Sequence, residues 1–187
     1  MLKRVFLAAS LIASPLAAED FSANSEAKTW NLYAEVPARF EAKVVDMLCE
    51  VTGECSDGCG DGTRQLGLLR VADNKLILPM KNSQPAFTGA ASELAPFCNQ
   101  TIEVDGLMIT DEDFPVDNIY LVQRIKADGA DWIKANTWTK KWAARHPEAK
   151  GKGPWFRRDP RVKEIIAAEG YLGLGLEADE TYAEENF

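Results

Sequence analysis

The residues with the most chemistry to offer are four cysteines, Cys49, Cys55, Cys59 and Cys98, spaced C-x5-C-x3-C with 38 residues before the last. An even count reads as a disulfide framework in an oxidising compartment, and four cysteines allow three pairings. Cys49 at the end of a strand and Cys98 just before another suggest a staple across the fold, with Cys55 and Cys59 closing a Gly-rich loop on itself. The alternative is a cysteine-based redox or copper-handling site. Thiolates hold zinc or a soft copper ion, and Met47, Met80 or Met108 would add a thioether. Zinc sites of this type normally show paired C-x2-C knuckles, and thiol-disulfide exchange uses C-x-x-C at a helix N-terminus, where the thiol pKa falls. The chain has neither pattern.

Other motifs lead no further toward catalysis. Asp57-Gly58-Cys59-Gly60-Asp61-Gly62 opens like a calcium loop, but its third position is Cys59 and its twelfth Leu68. An oxygen ligand and the closing bidentate carboxylate are therefore missing, which leaves turn chemistry. No Lys-Ser/Thr pair follows these glycines at phosphate-loop spacing. The sole histidine, His146, precedes Pro147 at a helix end, where a cation meets the negative pole of the helix. No G-x-S-x-G is present. The expectation is a chain without catalytic residues, bound metal or cofactor.

Two groups of side chains suit binding better. Asp57 and Asp61 in one loop, and Asp111, Glu112, Asp113 and Asp117 in another, form a candidate acidic loop face. Such a face repels polyanions and attracts cations or a basic protein patch; the plainer reading is solvated loop tips. The second group is Trp132, Trp138, Trp142 and Trp155 with Lys134, Lys141 and Arg145. On a helix over 132–145, Trp138 and Trp142 stand at i,i+4 beside these cations. Trp and Arg are common interface anchors, so the segment is the candidate partner-docking element. The competing reading folds the rings back on the core and uses the cations to neutralise acidic loops. Contact with an anionic membrane surface is the lesser option, because the apolar face is narrow.

These residues hang on a short series of elements. Phe40-Glu41-Ala42-Lys43-Val44 alternates with period two and runs on as a strand to about Cys49. Glycines break the pattern over 50–64. Gln65–Val71 and Lys75–Leu78, separated by Ala72-Asp73-Asn74, form a hairpin. Gly89–Ala95 makes a short helix closed by Pro96. Two strands follow, at Gln100–Ile109, where Gly106 marks a bulge, and at Asn118–Ile125. Asp159-Pro160 caps a helix over 160–169 that Gly170 ends. The acidic stretch 173–187 lacks a core pattern and reads as a mobile or partner-ordered tail.

Three strands, a helix and two strands is the connectivity of a five-stranded OB-like barrel, whose closure removes exposed edges. The words Glu41-Ala42-Lys43-Val44-Val45-Asp46, Gln65-Leu66-Gly67-Leu68-Leu69 and Glu103-Val104-Asp105-Gly106 resemble the strands of small secreted bacterial OB-like β-barrel proteins. The resemblance covers about 37–127 and implies a fold rather than an activity, since such barrels host unrelated functions. An SH3-like barrel is the structural rival. The fold class expected is mainly β, α+β overall, with a helical C-terminal extension.

Ahead of the barrel, Lys3 and Arg4 precede the apolar run Val5–Ile12, and Leu16-Ala17-Ala18 supplies small residues for cleavage. Residues 1–18 therefore read as a signal peptide, 19–36 as a lead-in, 37–127 as the barrel and 128–187 as the extension. Charge is distributed unevenly. Residues 19–131 carry 9 basic and 20 acidic groups, residues 132–163 carry 10 and 2, and residues 164–187 carry none and 7. Most of the chain would repel nucleic acid. Together these features lead to a periplasmic, non-catalytic binding or accessory subunit docking on a larger periplasmic protein.

Overall fold

The computed structural model describes residues 20–80, 90–113, 116–135, 137–153 and 155–186. The signal-peptide reading of 1–18 lies outside them. A closed five-stranded mixed barrel forms from β1 (Glu35–Asp46), β2 (Leu66–Arg70), β3 (Leu76–Met80), β4 (Thr101–Ile109) and β5 (Ile119–Ala127). Neighbours run β3-β2-β1-β4-β5, and a parallel pairing of Leu78–Met80 with Ile119–Leu121 closes the ring. A short helix, α2 (Ala90–Leu94), lies between the third and fourth strands. This is the expected OB-like connectivity.

Alternation builds the interior. Ala38, Phe40, Ala42 and Val44 of β1 face Leu66, Leu68, Ile77, Ile102, Val104, Tyr120 and Val122, with Leu94 of α2 buried against them. The buried Tyr120 hydroxyl donates to the Ala38 carbonyl at 2.8 Å, and burial pushes its pKa well above the ordinary value. β4 carries the expected irregularity between Asp105 and Gly106. A Cβ on Gly106 would collide with the Leu121 carbonyl, so only glycine permits this approach of β5.

The lead-in proves to be a structural strap. Ala27, Trp30 and Tyr33 pack over a second apolar cluster, Met80, Leu107, Ile109, Ile119 and Leu121, on the outside of the barrel. Asp105, 0% exposed, fixes the strap by accepting from the Ser25 hydroxyl at 2.6 Å and the Glu26 N–H at 3.0 Å. It also pairs with Arg124 at 2.5 Å. Burial alone would raise the Asp105 pKa, but Ser25, Arg124 and the Glu26 amide outweigh it and leave the carboxyl below its ordinary value.

Four local expectations need correction. First, β1 stops at Asp46, whose carboxylate caps α1 (Met47–Thr52) by accepting from the Leu48 and Cys49 amides. Second, this cap redirects the cysteines. α1 carries Cys49 off the strand, and the left-handed turn at Gly53 brings Cys55 back to it. Cys59 turns inward at φ 53° to meet Cys98. The bonds are therefore Cys49–Cys55 and Cys59–Cys98 rather than Cys49–Cys98 and Cys55–Cys59.

Third, no helix begins at Trp132. Ile133 and Lys134 form β6 against Ile125 and Arg124, which delays α3 to Trp138–Arg145. Fourth, the tail is ordered as α5 (Leu176–Asn186), a run of Leu, Glu and Ala without Gly or Pro that favours helix. The expected α4 is present at Pro160–Glu169, capped by Asp159, which accepts from the Arg161 amide at 2.9 Å.

Candidate docking site

Residues 138–163 gather most of the aromatic and basic side chains singled out above. Trp142, 2% exposed, is the centre of this module and belongs to neither apolar cluster of the barrel. Its indole N–H donates to Asp159 Oδ2 at 3.2 Å, and its ring stacks on His146 with centroids 4.5 Å apart. Trp155 packs 5.9 Å from Trp142 and 6.0 Å from Trp138. Arg158 lies over the Trp142 ring and Arg145 over the Trp138 ring. Asp159 thus serves two elements, capping α4 and holding the indole of α3. Burial would raise its pKa, but the Arg161 side chain and amide and the Val162 amide bring it below the ordinary value. Trp142 therefore supports the module from inside, whereas the helical reading had placed it on an outward aromatic face. Trp138 and Trp155 are half-buried in the same cluster.

The module is tied to the barrel through Glu93 of α2. Lys141 Nζ lies 2.6 Å from Glu93 Oε1, which also accepts from the Thr137 hydroxyl at 3.3 Å. Nothing in the sequence pattern marked Glu93, because its partners lie more than 40 positions away. Trp132 stands apart from the cluster: Arg39, Arg124 and Lys126 surround its ring at 4.7 to 5.9 Å. Arg39 and Arg124 are in turn paired with Glu103, Asp105 and Glu26. Lys134 on β6 is exposed, as are Lys140, Arg145, Lys150, Lys152 and Arg157. What the module presents outward is therefore a set of cations around half-buried aromatic edges. This chemistry suits a carboxylate-bearing protein surface.

The acidic residues are less concentrated than their spacing implied. Asp57 and Asp61 lie on the β1–β2 connection, held by the Cys59–Cys98 bond. Asp117 pairs with Lys75 at 2.8 Å beside the β2–β3 turn. Asp111 accepts from the Ala34 and Asp113 amides, while Glu112 and Asp113 are exposed. Among the described residues, no hydrogen bond or ion pair joins the two acidic loops, and no group of three His, Cys, Asp or Glu could hold a metal ion. All four sulfurs are in disulfides, so the thiolate that redox or copper chemistry needs would arise only on reduction. No helix among the described residues is long and apolar enough to cross a membrane. No family model, curated protein or solved structure matches the chain.

Proposed function

We propose that this protein is a non-catalytic accessory subunit of the periplasm that docks on a larger protein partner through its C-terminal module. The observation that carries the reading is the separate Trp142-centred core, which holds many cations outward on a helical unit joined to the barrel through Glu93. Building a second small core merely to carry solvated lysines would order aromatic side chains without purpose; rigid presentation of a binding face gives that order a use. Two disulfides fit the oxidising compartment that the N-terminal signal implies.

Trp142→Ala tests the reading. Removing a buried indole costs about 3–5 kcal/mol locally, enough to unfold a small module. The variant should lose co-purification with the native partner while the barrel keeps its melting transition. The triple variant Lys150→Glu, Lys152→Glu, Arg157→Glu should lose the partner with the module still folded. Retained capture by both variants would move docking to the acidic loops and overturn the proposal.

A further inference from the structure

Beyond the basic face, the end of the chain holds a surface with the opposite character. α4 and α5 form a hairpin whose turn is fixed by Asp179, which accepts from the Tyr171 and Leu172 amides. Gly170 makes the turn at φ +82°, with the Asp179 carboxyl where a Cβ would lie. This rigid turn leaves Tyr171 75% exposed, Leu174 73% and Leu176 57%. Leu174 and Leu176, with Leu172 and Tyr182, line a shallow groove of about 610 Å3 that Glu177 and Glu185 also border. Apolar side chains grouped this way, bordered by charge, mark an interaction surface.

The charge around the groove points to its occupant. Residues 164–187 carry seven carboxylates and no cation, whereas residues 132–163 carry ten cations and two carboxylates. Among the described residues no ion pair joins one segment to the other, although they are adjacent in the chain. The hairpin instead packs on itself and on the turn at Trp155–Arg157. The basic segment also offers apolar area, at the half-buried edges of Trp138 and Phe156.

We propose that copies of this chain associate head to tail, with the acidic, apolar surface of α5 and the turn before it, residues 170–186, of one copy seated on the basic, aromatic face of residues 138–158 of the next. A symmetric contact of α5 on α5 would bring carboxylates against carboxylates, so the contact joins unlike surfaces. In such a row the copy at one end keeps its basic face free for a larger partner. The association itself depends only on this chain and can fail or hold independently of partner docking.

Sedimentation velocity of the purified protein tests this. Over roughly 1 to 100 μM, the mass should rise above that of a single chain at low salt. Association should weaken about tenfold or more in roughly 0.5 M salt, because screened surface charges contribute less. Leu174→Glu with Leu176→Glu removes the groove, and Lys150→Glu, Lys152→Glu, Arg157→Glu removes the cations. Each variant alone should be monomeric, but an equimolar mixture should form a dimer and stop there, since each keeps one intact surface. Leu174→Ser with Leu176→Ser serves instead if the glutamates melt α5. A monomer at every concentration, or a mixture of the two variants that stays monomeric, would overturn the proposal. So would oligomers that survive both sets of substitutions.

Discussion

Removing each disulfide separately should cost unequal amounts, and the difference follows from where each lies. Cys49–Cys55 closes a separation of 6 residues and Cys59–Cys98 one of 39. On the chain-entropy relation, the long closure restrains the unfolded chain by about 4 kcal/mol and the short one by about 2 kcal/mol. Cys59 is also buried, so its truncation forfeits packing that the exposed Cys55 never made. The pair Cys59→Ala, Cys98→Ala should therefore be the less stable by about 2 kcal/mol or more. Equilibrium urea unfolding, followed by the circular dichroism of the sheet, gives both values on the same axis. Equal losses, or a larger loss from Cys49→Ala, Cys55→Ala, would refute the reasoning. They would show that the β1–β2 loop is not held to the start of β4 in the way that positions Asp57 and Asp61.

Two further outcomes follow from the carboxylates. Asp73 is drawn down to about 2 by the Arg70 guanidinium, against an ordinary 3.8, and Asp105 also lies below its ordinary value. A depressed carboxyl stabilises the fold fully above its unfolded pKa and loses that contribution as pH falls through the folded one. Thermal melts should therefore be flat in this respect above about pH 4 and decline toward pH 2, with a shallower decline in Asp73→Asn. Asp105→Asn should cost about 3 kcal/mol or more, because it leaves the Arg124 charge short of its buried partner. Its first sign should be proteolysis within the strap at 20–34, and a strap as protected as in the parent protein would contradict the role given to Asp105.

The barrel was legible because its information is local and periodic. Period-two alternation in β1 and β4, a polar turn between two short apolar runs, and Gly106 at a bulge each follow from nearby residues. The parts that were misread depend on distant partners or on a single competing cap. Asp46 ends β1 and so changes which cysteines meet, although nothing in the apolar pattern distinguishes it from the charged residues before it. The strap looked merely polar because its anchors, Asp105 and Gln123, lie about 80 to 95 positions away. Trp142 and Trp138 have the spacing of an exposed stripe, but Asp159 and Trp155, beyond an irregular connection, bury Trp142 and leave only an edge of Trp138 outward. The exposed leucines of 172–176 carry no periodic signal, and only the helical hairpin shows them as one surface.

Docking through the C-terminal module is tested most directly by site-specific photo-crosslinking in the native host. A photoreactive residue is placed in turn at Lys150 or Arg157 on the module and at Asp61 or Asp113 on the acidic loops, all exposed positions. Crosslinks from the module to one larger protein, with little from the loops, are expected. Crosslinks to that protein from the loops alone would contradict a docking role for the module.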